Sequence, residues 1–205
     1  MVATAAPARS DRSDFRTVTV GGAKIGALTA VAVVLFLAAS RLAPDAGALR
    51  SGLEALIVLA AGVAVSFLPA RWSAARSVEG IAGAAAIGLV GTVVFMAIDI
   101  VVFRPLKAYP WTWDAIGGGS TWWYLPVWWM LGTFLAWMGG IITARQAARG
   151  EAARARRAAP VVVATLVVVT LARLAGLSVA LPVATGAAFT GILALLAVVA
   201  LARKG

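Results

Sequence analysis

Three ionisable side chains, Glu54, Asp99 and Arg173, sit inside stretches otherwise built of Ala, Val, Leu, Ile and Gly. A charge in such a setting costs about 3 kcal/mol unless it is paired or hydrated. An acid and an arginine placed together there could clamp two helices, hold an anion or pass a proton. The second group with chemical potential is aromatic. Seven of the eight Trp residues fall in the segment 109–137, YPWTWDAIGGGSTWWYLPVWWMLGTFLAW. Within it Trp111, Trp113, Asp114, Trp122, Trp123, Tyr124, Trp128 and Trp129 cluster around a triple glycine, Gly117–Gly119. A Trp or Tyr ring is apolar and carries one polar hydrogen, so it suits a membrane–water boundary. The same chemistry suits contact with a partner subunit, with lipid, or with a flat apolar molecule such as a quinone or carotenoid pigment.

What is missing narrows the chemistry further. The chain has no Cys and no His. Thiolate nucleophiles, disulfides, His general bases and His- or Cys-held metals are therefore excluded within it. The three lysines, Lys24, Lys107 and Lys204, lie at the edges of apolar stretches, none beside a suitable Ser. The eight acids are scattered without metal-ligand spacing. No catalytic residue and no metal site is expected, and the chain reads as a protein without enzyme activity.

The elements that must position these residues follow from hydropathy. Of 205 residues 62% are hydrophobic and 13% charged, with a mean hydropathy of +0.95. That leaves too little polar surface for a water-soluble domain. A bilayer core about 30 Å thick needs roughly 20 apolar helical residues. Spans are predicted near 24–40, 52–70, 80–103, 125–144, 160–178 and 183–202. The last two come from one long apolar run that Gly176 and the Leu181-Pro182 step divide, since Pro removes a backbone donor and disfavours helix before it. The expectation is an all-α, polytopic transmembrane bundle of about six spans.

Charge placement orients it. With the N-terminus inside, thirteen Lys and Arg residues fall on the cytoplasmic side, against four (Arg41, Arg50, Arg104, Lys107) outside. Five spans would weaken the ratio to eleven against six, so both termini are expected in the cytoplasm. Residues 1–22 read as a mobile cytoplasmic tail ahead of a retained first helix, and 23–205 as one membrane domain. Residues 104–124 form an outer Trp-rich loop and 145–159 a cytoplasmic Arg-rich one. The net charge of +10 is then mostly the positive-inside signature. The Arg run 145–157 carries no aromatic residue for stacking on bases, so nucleic acid is not an expected partner. High Ala, Arg and Gly usage is associated with GC-rich bacteria, hence an expected bacterial cytoplasmic (inner) membrane location.

At 1.5 Å per residue Asp99 lies about 7 Å below the outer boundary, Arg173 about 13 Å and Glu54, in the first turn of its helix, about 5 Å. An Arg side chain snorkels roughly 6 Å, so Arg173 could meet Asp99, while Arg104 offers Asp99 a nearer partner at the boundary. Pro110 and Pro126 bracket the aromatic segment and suit a short interfacial or re-entrant element. Gly83, Gly88 and Gly91 on the third span and Gly132, Gly139 and Gly140 on the fourth permit close helix approach. Two functions fit. One is an accessory or scaffold subunit of a larger membrane complex, contacting lipid, other membrane subunits or a second copy of itself. The other is a small transporter or channel with an outward-facing site at Glu54, Asp99 and Arg173. The apolar inner half of every span favours the first.

Overall fold

The computed structural model describes residues 12–42, 47–108, 124–148 and 158–202. All regular structure there is helical: α1 (Phe15–Leu42), α2 (Gly47–Trp72), α3 (Val78–Ile98, continued by a π turn at Asp99–Phe103), α4 (Tyr124–Ala148), α5 (Ala159–Leu174) and α6 (Leu181–Ala202). α1, α2, α6 and α3 with its π turn are long and apolar enough to cross a membrane. α5, at 16 residues, is a shorter apolar helix of about 24 Å. Large apolar side chains such as Leu56, Val101, Leu166 and Leu195 point outward. A surface this apolar matches lipid, not water.

Glycine sets the helix order. Added Cβ atoms on Gly22 and Gly26 of α1 would lie 2.3 and 2.6 Å from Val90 and Val94 of α3. Both pairs advance together along the chain, so α1 and α3 run parallel. Gly88 of α3 faces Gly132 and Ala136 of α4, while Gly140 faces Ala84 and Ile81. That order is reversed, so α4 is antiparallel to α3. Gly139 of α4 lies against the Ser66 backbone of α2. With the α1–α2 contact the four helices close a ring, and on its other three sides backbones approach where a side chain is missing. α6 docks on α2 and α4, and α5 rides on α6. Their junction is filled by large groups: Leu59, Met138, Ile141, Val161, Phe189 and Leu193.

Three helices end alike. The amide of Gly176 (φ +82°) donates to the Arg173 carbonyl and that of Leu177 to the Ala172 carbonyl, the paired bonds of a Schellman cap. This stops α5 four residues short of the 160–178 span read from hydropathy. Lys107 (φ 48°) and Ala74 (φ 51°) take the same left-handed place after α3 and α2 without being glycine.

At its other end α1 starts at Phe15, so residues 15–22 are helix, correcting the 1–22 tail. Asp14 makes this happen. Its carboxylate accepts from the Thr17 amide (2.9 Å) and hydroxyl (2.6 Å), capping the helix start. The Arg12 amide donates to the Ser73 carbonyl (2.8 Å) and Ser13 Oγ to Glu79 Oε1 (2.7 Å). Lys24 Nζ sits 5.6 Å from the Trp72 ring centre. The chain ahead of α1 is therefore tied to the α2–α3 turn. Residues 1–11 lie outside the described residues.

Candidate functional site

The buried charges of the described residues are two, Glu54 and Asp99, 6% and 4% exposed. Both belong to the end of the ring where α1 meets α2. Glu54 lies two turns inside α2, not in its first turn, because the helix begins at Gly47. The sequence reading places Arg50 in the outer loop, ahead of a span beginning near 52. Instead Arg50 is spent inside it: its Nε donates to Glu54 Oε1 at 2.9 Å from one turn back. Ser40 Oγ, arriving from the end of α1, donates to the same oxygen at 2.6 Å. Glu54 thereby pins the α1–α2 hairpin.

Asp99 is served by its own helix. In a regular α-helix residues five apart point about 140° away from each other, at 100° per residue. The π turn removes that obstacle. The Arg104 amide donates to the Asp99 carbonyl (2.9 Å), and the wider turn sets Arg104 over Asp99. Its Nε then donates to Asp99 Oδ2 at 3.1 Å. Phe95 and Phe103 flank the turn, ring centres 6.4 Å apart. Arg41 donates through Nη2 to the Ala108 carbonyl, joining the end of α1 to the segment after the π turn.

Arg173 does not join this group. It is exposed on α5, and its Nη1 donates to the Leu177 carbonyl (3.4 Å) just beyond its own helix. The proposed meeting of Arg173 and Asp99 is corrected: α5 packs on α6, away from α3, and Arg104 is the nearer cation. The expected boundary pair is the one formed.

Of the aromatic set, Trp111, Trp113, Asp114, Trp122 and Trp123 lie outside the described residues. Tyr124 and Trp128 belong to α4, and their side chains are not described. Trp129 is part-exposed and its Nε1 donates to Met96 Sδ of α3 (3.1 Å). Among the described residues no three acids gather as a metal site.

Both arginine side chains are 40% exposed while their acids lie beneath at 8% and 5%. The arrangement is two carboxylates, each under a guanidinium lid at a wet rim. Its evident capacity is to hold helix ends in register. Sequence reading missed Ser40 and Arg50. The spacing of Arg50 and Glu54, four apart, was the available signal for one; nothing local marks Ser40.

Fold and site define a bundle of apolar helices, four of them able to span a membrane, with two ion pairs at one end. No family model, curated protein or solved structure matches the chain.

Proposed function

We propose that this protein is a non-catalytic integral membrane protein acting as an accessory or scaffold subunit of a larger membrane complex. Six spans with both termini cytoplasmic fit the helix order, counting α4 and the short α5. The outer Trp-rich segment and the lipid-facing flanks would contact partner subunits, lipid, or a quinone or carotenoid. The supporting observation is that each buried acid already has a guanidinium partner at one end of the ring. Among the described residues the interior beyond them holds no buried ionisable group. A transport path needs polar lining through its depth, and a catalyst needs a group free to react. Neither is supported by this interior, which is closed by glycine contacts.

The test is purification from native membranes in mild detergent, followed by native mass spectrometry and an absorption spectrum. Stoichiometric co-purification of other membrane subunits or pigment is the expected result. A colourless monomer or homo-oligomer would reject the subunit reading and direct work to transport by the Glu54 and Asp99 end.

A further inference from the structure

Thr29, Thr92, Thr133, Thr165, Thr185 and Thr190 each donate to the carbonyl four residues back. This is the ordinary way a helix satisfies a hydroxyl in apolar surroundings. Thr143, 3% exposed on α4, does not. Neither does Ser66, fully buried on α2: its Oγ also has no protein partner. These two exceptions lie in one place. Gly139 meets the Ser66 backbone so closely that an added Cβ would fall 1.9 Å from the Ser66 carbonyl oxygen. Thr143 is one turn further along the same face of α4.

Pro69 removes a regular backbone donor from the same stretch. It lies inside α2, three residues after Ser66, and is buried. Lacking an N–H, it cannot serve the Val65 carbonyl that a regular helix would pair with residue 69. Two unpartnered hydroxyls, and a carbonyl deprived of its regular helical donor, therefore share about one turn of the α2–α4 contact. Membrane helices tolerate such Pro breaks where hydroxyls and ordered waters satisfy the freed groups. A buried water typically makes about three hydrogen bonds.

We infer that the α2–α4 contact beside Pro69 is a binding site for one buried water molecule, held by Ser66 Oγ, Thr143 Oγ1 and the Val65 carbonyl. The water donates to the carbonyl and to one hydroxyl and accepts from the other. No charge is needed to hold a water; the nearest along α4 is Arg145, part-buried two residues after Thr143, with its Nε atom buried. The site gives α2 a hydrated turn at its proline and links it to α4 by hydrogen bonds, beside the close glycine contact at Gly139.

The sign of a stability change separates this from two idle hydroxyls. Without a bound partner, Ser66→Ala and Thr143→Val each remove an unmet polar group and should leave stability unchanged or raised. With the water, each should raise the unfolded-to-folded ratio about fivefold or more in reversible unfolding of the full chain in detergent. The double variant should cost less than the two singles combined, because the same water is lost once. Stabilisation by either single variant, or strictly additive losses, overturns the site. Solid-state NMR of labelled protein in bilayers gives the independent reading. Polarisation transferred from water should reach Thr143, persist in Thr143→Ser and vanish in Ser66→Ala. No transfer in the unsubstituted protein overturns the proposal. So does a midpoint that rises with Na⁺ or K⁺ against an inert organic cation and loses that dependence in Thr143→Val, since the site would then hold a cation.

Discussion

The α1–α4 ring and the α5–α6 pair solve the same problem in opposite ways. In lipid there is little hydrophobic drive between helices, so association must come from fit and from hydrogen bonds. The ring obtains fit by removing side chains: Gly22, Gly26, Gly88, Gly91, Gly132 and Gly139 let backbones approach. The α5–α6 pair fills space instead. Val161, Thr165 and Val169 form a stripe of period four on α5, answered by Thr185, Phe189, Leu193 and Ala197 on α6. Added Cβ atoms on the two α6 glycines meet little: only Val58 at 3.5 Å beside Gly186 and nothing within 4 Å at Gly191. Glycine therefore means close approach in one region and no such constraint in the other, although the residue is the same.

That contrast is broken most directly at Gly139. Gly139→Ala pushes a methyl into the Ser66 backbone carbonyl, which cannot rotate away as a side chain could. Overpacking of this kind costs about 3 kcal/mol or more, beyond the 0.5–1 kcal/mol Ala gains over Gly in a helix. Gly191→Ala should show only the gain. Thermal unfolding of both variants in one detergent decides it, and equal midpoints would reject close approach as the ring's organising device.

The ion pairs come next. Arg104→Met strands Asp99 under an apolar cover and should cost about 2 kcal/mol, below the full value for a buried pair because Arg104 is partly wet. Adding Asp99→Leu should recover most of the loss. Arg173→Met on the α5 side should stay within about 0.5 kcal/mol. If Arg173→Met matched Arg104→Met, the two regions would be coupled through charge after all.

These residues also show what could be read from the sequence. Helix number and the break at Gly176 were legible, because apolar length and Gly/Pro placement act locally. The glycines of α3 and α4 were legible as close-approach positions, but not their partners, since spacing along one helix does not name the neighbour. The Asp99–Arg104 pair was anticipated as a boundary pair, yet not the π turn that makes it. Hydropathy gives Arg50 as a boundary and cannot reveal that Glu54 draws it into the helix. Ser66 and Thr143 read as ordinary hydroxyls, and only burial without a partner separates them from the six threonines that bond their own helix.

The helix ends offer a smaller change of opposite sign. Ala74 and Lys107 hold left-handed backbone that costs a residue with a Cβ roughly 1–2 kcal/mol. Ala74→Gly and Lys107→Gly should each stabilise by up to about 1 kcal/mol after the extra freedom of the unfolded glycine is counted. Gly176→Ala should lose a similar amount on the α5 side. A loss at Ala74→Gly would mean that its methyl contributes packing at the α2–α3 turn.

The smallest effect is at the start of α1 and depends on pH. The two hydrogen bonds from Thr17 hold the Asp14 carboxyl below its ordinary value of 3.8. A carboxyl lowered on folding stabilises fully above its unfolded value, and that contribution is lost as pH falls through the folded one. The cap should therefore be intact at neutral pH and weaken only in acid, below about pH 4. Amide hydrogen-exchange protection at Thr17, which donates to Asp14, should fall there, while amides of α3 beside Gly91 keep theirs. Asp14→Ala should start from lower protection at neutral pH and show no further acid loss. An acid loss surviving in Asp14→Ala would show that the Asp14 cap is not the acid-sensitive contact.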